Sequence, residues 1–232
     1  ICYSLIDVFM QARGDLMSEN WDVFLMPYQQ AVDELKIKLR SARKEFLERG
    51  EHSPIEYVTG RVKTVDSIKE KMQRRYIADD VLEKDMQDIA GLRIQTQFVE
   101  DIYEVADLLH QREDLRVVEE RDYVTNSKSS GYRSYHVVIE YPIQLTTGQK
   151  NILAEIQIRT LAMNFWSTIE HSLNYKYQGD FPEEISDRLK RAAEASFMLD
   201  EEMSKIRGEI QEAQQYFTVR KKDKNKKTGQ DN

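Results

Sequence analysis

Two acidic residues, Asp88 and Glu155, stand where a carboxylate could hold a metal ion. Asp88 leads into the buried-looking stretch DIAGLRIQTQFV, in which Gly91 would allow a close backbone approach. Glu155 lies in NILAEIQIRT, where Ile156 and Ile158 point one way while Glu155, Gln157 and Arg159 point the other at roughly 7 Å steps. Paired carboxylates of this kind suit Mg2+ and phosphoryl transfer. The plain alternatives are a cap for Asp88 and the wet face of an antiparallel strand for Glu155. The segment GRVKTVDSIKEK spaces Lys63, Ser67 and Lys71 by four, which stacks them on one helix face away from Val65, Ile68 and Met72. With Thr64 as N-cap, Lys63 sits beside a helix N-terminus that attracts anions. This is a polyphosphate cradle or else a solvated basic face. Arg61, Arg93 and Lys128 add further cations able to reach phosphates. In NSKSSGYRSYHVVIEYP a Ser-rich loop turns into a strand and gathers Lys128, Tyr132, Arg133, Tyr135 and His136 at the junction. No Walker loop, G-x-S-x-G or H-E-x-x-H occurs. A nucleotide substrate with Mg2+ is what these residues have in common.

The elements that must position them follow from periodicity. Residues 20–49 read as a long amphipathic helix whose apolar face includes Trp21, Tyr28, Val32, Leu35 and Leu39. PIEYVTGRVK reads as a strand, a helix starts at Thr64, residues 88–99 are a strand, 101–113 a helix and 115–124 a strand. Strands over 133–141 and 151–160 and a helix over 160–177 come next. A final helix runs from Pro182 to about Phe217. In it Ile185, Leu189, Ala192, Leu199, Met203, Ile206, Ile210, Ala213 and Phe217 keep a heptad spacing, which predicts a subunit interface or packing on the chain's own first helix. The fold class is therefore α/β (α+β), one core with helices at each end. Residues 1–19 read as a disordered or cloning-derived extension, with MSENWDVF at 17–24 resembling a natural start. Residues 20–217 form the domain, and 218–232 a basic disordered tail.

The 232 residues suffice for one sizeable core, and a net charge of −7 confines any anion site to a local basic patch. A lone cysteine, Cys2, excludes a disulfide framework and a Cys-based zinc site and suits the cytoplasm. Apolar runs are too short to span a membrane, and the first residues lack the basic region of a signal peptide.

Four ordered stretches, GRVKTVDSIKEKM, DIAGLRI, RDYVTNSKSSGYRSYH and EIQIRTLAMNFWSTIEHSLNYKY, together resemble the synthetase domain of the Rel/Spo alarmone family, and most closely its small synthetases of RelQ type. The resemblance implies a mixed β-sheet of nucleotidyltransferase type and a pyrophosphokinase that moves the β,γ-pyrophosphate of ATP to the 3′-hydroxyl of GTP or GDP, giving AMP and pppGpp or ppGpp. It implies that Asp88 and Glu155 hold Mg2+, with Glu155 also deprotonating or orienting the hydroxyl. Arg61 and Arg93 would stack on adenine, and Lys63, Ser67 and Lys71 would hold ATP phosphates. Tyr132 would stand clear of the sheet to meet guanine, with Lys128, His136 and Gln157 around the acceptor. It further implies a homotetramer with a central cleft binding pppGpp as an activator at Lys36, Arg40, Arg43, Tyr57, Thr59 and Asn164. Lys36, Arg40 and Arg43 do share one helix face by spacing, although a solvated face with i,i+4 pairs would look the same. Ser129-Ser130 stands where long family members carry Pro-Asn, which leaves GTP against GDP open. No His-Asp dipeptide occurs, so synthesis without hydrolysis is expected. Competing readings are another nucleotidyltransferase-like enzyme, or a regulatory protein that binds single-stranded RNA on its exposed tyrosines and basic residues. RNA binding through the basic tail could also accompany catalysis.

Overall fold

The structure, a computed structural model, describes residues 21–177 and 182–228; the expected extension at 1–19 lies outside them, as do residues 229–232 of the expected tail. Among the described residues the order is α1 (Trp21–Glu48), β1 (Tyr57–Val62), α2 (Val65–Arg75), α3 (Leu82–Asp85), β2 (Ala90–Thr96), α4 (Val99–His110), β3 (Arg116–Asp122), β4 (Tyr135–Leu145), β5 (Gly148–Thr160), α5 (Leu161–Lys176) and α6 (Glu183–Thr228). The strands form one five-stranded sheet in the order β1-β2-β5-β4-β3. Only the β2–β5 pair is parallel, so the sheet is mixed, as expected. No helix among the described residues is long and apolar enough to cross a membrane.

Strand alternation divides the sheet into two unlike faces. On one, Val58, Leu92, Ile94, Val137, Ile139, Ile156 and Ile158 are buried in one apolar cluster with Tyr28, Leu35 and Leu39 of α1 and Ile102, Val105 and Leu109 of α4. Helix α1 lies so close on β1 that a Cβ at Gly60 would fall 2.8 Å from Val32 Cγ1, which makes glycine the residue that fits. The other face is polar. Registered pairs share a face, so Arg61, Gly91, Glu155 and Val138 form one row across β1, β2, β5 and β4, and Thr59, Arg93, Gln157, His136 and Arg121 form the next.

Helix α6 departs from expectation twice. It continues past Phe217 to Thr228, where a disordered tail was expected. The added stretch holds good helix formers, no Gly or Pro, and cations that complement the C-terminal end of the helix dipole; Gly229 is its first breaker. It also packs on α5 and α4, and no packing on the first helix stands out. The contact side is Ala193, Phe197, Asp200, Ser204 and Arg207, one residue out of step with the expected heptad line. Leu199, Met203, Ile206 and Ile210 of that line are exposed.

Candidate active site

Glu155 lies in the middle of the sheet, opposite Gly91 on the parallel neighbour, and Asp88 occupies the turn that leads into that neighbour. Both line a cavity of about 300 Å³, shared with Thr59, Arg61, Lys63, Gly91, Arg93 and Gln157. A Cβ at Gly91 would approach only the Arg61 carbonyl, at 3.7 Å, so the glycine is not demanded by backbone crowding, and it keeps the cavity wall bare.

The basic stripe of α2 is no solvated face. Thr64 caps the helix, its Oγ1 accepting from the Ser67 N–H, and this fixes the direction in which the stripe points. Lys63 Nζ lies 3.0 Å and Lys71 Nζ 2.7 Å from opposite oxygens of Asp88, and the two lysine side chains are only 17% and 14% exposed. Burial pushes the Asp88 carboxyl up; the Lys71 hydrogen bond and the Lys63 charge outweigh it and hold the group below its ordinary value. Ser67 stays at the surface, its hydroxyl taking a hydrogen bond from Thr64. Across the cavity, Arg93 is half-buried with its Nε unpartnered. Burial and then the charges of Arg159 and Arg61 push its guanidinium down. Cations crowded together in this way leave room for an anion or a π-face.

The loop-to-strand junction closes the other side. His136 Nδ1 lies 3.1 Å from Glu155 Oε1, and Gln157 Nε2 donates to Glu155 Oε2 at 2.9 Å. Burial pushes Glu155 up, but the hydrogen bond and charge of His136, then Gln157 and the Lys71 charge, bring it down to about 2. Tyr132 does not stand clear of the sheet: its hydroxyl reaches inward, 2.8 Å from His136 Nε2 and 2.6 Å from an Arg159 nitrogen. Lys128 Nζ sits 5.0 Å from the Tyr132 ring and 4.6 Å from the Tyr123 ring. The loop is tightened by Gly131, whose φ of +88° and a would-be Cβ 2.6 Å from Ala193 Cβ both exclude a side chain. Tyr135 faces the other way, its ring against Tyr103 and its hydroxyl on Glu120, and Arg133 stacks on Phe197.

The expected donor, acceptor and carboxylate residues therefore converge on one polar face, with Ser67 at its rim. The second expected set does so only in part. Lys36 pairs with Asp33, Arg40 donates to the Val58 carbonyl and Arg43 faces Glu56, all along the edge strand β1. Tyr57 is exposed on β1 and Asn164 lies on α5, but Thr59 lines the carboxylate cavity itself. Two residues to which the family resemblance gave no role also belong to the site. Tyr123 packs edge-on against His136 and Tyr132, and Arg159 ends the polar row of β5. Arg159 was legible in the alternation of EIQIRT; Tyr123 carried no signal beyond its place before the loop.

Comparison with known proteins bears out the family resemblance. Residues 60–180 match the family described as the region found in RelA / SpoT proteins. The GTP pyrophosphokinase YjbM of Bacillus subtilis is 58% identical over 204 residues, which cover 88% of this chain and 96% of that protein. The crystal structure of small alarmone synthetase 1 from Bacillus subtilis bound to its product pppGpp aligns with a TM-score of 0.80 at 58% identity, over 83% of this chain and 99% of that one. The same synthetase bound to AMPCPP aligns with a TM-score of 0.75 at 55% identity, over 84% of this chain and 99% of that one.

Proposed function

The chain belongs to the family of RelA / SpoT proteins, and from that membership and the site's geometry we propose that it is a GTP pyrophosphokinase that transfers the β,γ-pyrophosphate of ATP to the 3′-hydroxyl of GTP or GDP, giving AMP and pppGpp or ppGpp. The observation that carries this is Glu155. It faces a cation-lined cavity shared with Asp88 on one side and is bonded through His136 to Tyr132 on the other. In-line transfer needs a donor side and an acceptor side meeting at one carboxylate-bearing centre.

The donor side is the cavity. Lys63 and Lys71, which neutralise Asp88 in the free chain, hold ATP phosphates with Ser67 at the cap of α2, and Arg61 and Arg93 stack on adenine. On the acceptor side Tyr132 meets guanine, and Lys128, His136 and Gln157 surround the nucleotide. Two ionised carboxylates suit a Mg2+ ion, whose remaining ligands would come from water and substrate phosphates. Asp88 and Glu155 would hold it, and when bound it would neutralise charge on the groups being transferred. Glu155, held ionised, supplies an oxygen ligand and deprotonates or orients the 3′-hydroxyl. Incubation with Mg2+, ATP and GTP should yield AMP and a guanosine species carrying two extra phosphates. Release of inorganic pyrophosphate would point to nucleotidyl transfer.

The reading extends to a cytoplasmic homotetramer activated by pppGpp. Its support is an exposed apolar stripe on α5, Leu161, Phe165, Ile169 and Leu173, and two buried atoms of the second residue set, Arg43 Nε and Asn164 Oδ1, that lack hydrogen-bond partners among the described residues. Added pppGpp should raise the rate and give sigmoidal kinetics; a flat response removes the cleft. Single-stranded RNA as a further ligand rests on the basic stretch from residue 218, and should lose affinity steeply with salt in a titration.

A further inference from the structure

The polar side chains of the site close into a ring, and the bonds at its two charged ends, from the Arg159 guanidinium and onto the Glu155 carboxylate, have directions fixed by chemistry. A carboxylate only accepts, so His136 donates from Nδ1 to Glu155 Oε1 over 3.1 Å. A neutral imidazole accepts at Nε2 from the Tyr132 hydroxyl, 2.8 Å away, and a protonated one donates to that oxygen; the link between the two side chains is kept in either form. The Tyr132 oxygen in turn accepts from Arg159 Nη2 at 2.6 Å. The same Arg159 nitrogen donates to Gln157 Oε1 at 2.7 Å, which turns the amide nitrogen of Gln157 toward Glu155 Oε2, 2.9 Å away. One nitrogen of Arg159 thus starts two arms, a short one through Gln157 and a long one through Tyr132 and His136. The arms end on the two oxygens of Glu155.

Arg159 is unusual in its own right. It is 3% exposed, and its hydrogen-bond acceptors are hydroxyl, phenol and amide oxygens: Ser167, Tyr132 and Gln157. Its Nε is buried without a partner among the described residues, and Arg93 is near enough for their charges to repel. A buried guanidinium with neutral partners is costly to keep. Ordinary packing does not require it at a strand end, whereas a rigid fork feeding two acceptors at once does.

We propose that Arg159 is a positioning residue that ties the acceptor platform, Tyr132, to the reacting carboxylate, Glu155. This rests on the pyrophosphokinase reading. The short arm holds Glu155 whether or not acceptor is bound, and the long arm changes when a purine settles on Tyr132. Acceptor occupancy is thereby read at the carboxylate that orients the 3′-hydroxyl.

The test is a double-mutant cycle on the full chain with ATP and GTP. Tyr132→Phe keeps the stacking ring and removes the hydroxyl; Arg159→Met removes the fork. Each should lower kcat about ten-fold, the worth of one charge-assisted hydrogen bond, with KM for ATP unchanged. The double variant should be little worse than Arg159→Met alone, because both changes cut the same arm. Arg159→Lys, which can feed one arm but not both, should recover part of kcat, and it replaces Arg159→Met in the cycle should that variant not fold. Losses that multiply, an unchanged kcat in Tyr132→Phe, or an effect confined to KM for ATP would overturn the assignment. Failure of the underlying reading looks different: the wild-type chain itself would form no AMP and no guanosine product.

Discussion

Glu155 is the side chain on which both halves of the site meet, and its environment defines what it can do. Held near 2, it is ionised at neutral pH, as its proposed part as oxygen ligand and orienting group requires. Glu155→Gln keeps the shape and the hydrogen bond to His136 but removes the charge. Turnover should fall about a thousand-fold, while binding of ATP and GTP, measured by titration without turnover, stays within a few-fold. Wild-type-like rates in that variant would remove Glu155 from the centre. The carboxylates and the α2 lysines were legible in the sequence because their spacing has a mechanical meaning on a strand or a helix. Which alternative held for Lys63 and Lys71 was not, since a buried basic pair and a solvated one have the same spacing. Only the position of Asp88 between them decides it.

At the scale of elements, two contacts of α6 set the acceptor side. The first is Gly131 beneath Ala193. Gly131→Ala places a methyl within 2.6 Å of Ala193 Cβ at a φ of +88°. It should cost about 1–3 kcal/mol and raise KM for the acceptor nucleotide while leaving KM for ATP nearly unchanged, as initial-rate kinetics would show. The second is Asp200, buried on α6, which accepts from the Thr160 hydroxyl that also caps α5. Burial pushes the Asp200 carboxyl up to about 6, and the Thr160 hydrogen bond only partly opposes it. The folded chain then binds this proton more tightly than the unfolded one, so stability falls as pH rises from about 4 to 6 and stays reduced above that. Asp200→Asn should therefore stabilise the fold at pH 8 by about 1–2 kcal/mol, a figure discounted for partial solvent access, and have little effect at pH 4; denaturant melts at the two values check it. The positions of the strands and the limits of most helices followed well from periodicity and caps, whereas the order of the strands in the sheet was not read from the sequence. The docking side of α6 did not, because Ala193, Asp200, Ser204 and Arg207 are too small or too polar to register as an apolar face.

For the whole molecule, the heptad line of α6 and the stripe on α5 make one argument. Single exposed apolar residues are ordinary, but Leu161, Phe165, Ile169 and Leu173 recur every fourth residue, and Leu199, Met203, Ile206 and Ile210 continue the pattern on the helix packed beside them. Such faces match the interior of an obligate assembly. Asn164, whose buried Oδ1 lacks a partner among the described residues, is the neighbour of Phe165, so the proposed assembly and activator cleft would share one helix. Phe165 is 69% exposed in the single chain, and replacing it removes no intrachain core. Phe165→Glu should therefore leave the melting temperature of the folded chain nearly unchanged while a charge is forced into the subunit contact. Light scattering should show the parent as an oligomer and the variant as a smaller species. The sigmoidal response to pppGpp should disappear with the mass, while a basal rate remains because every proposed substrate-binding and catalytic residue lies within one chain. A monomeric parent, or a variant that keeps both its mass and its response, would detach these faces from assembly and leave activation without a cleft.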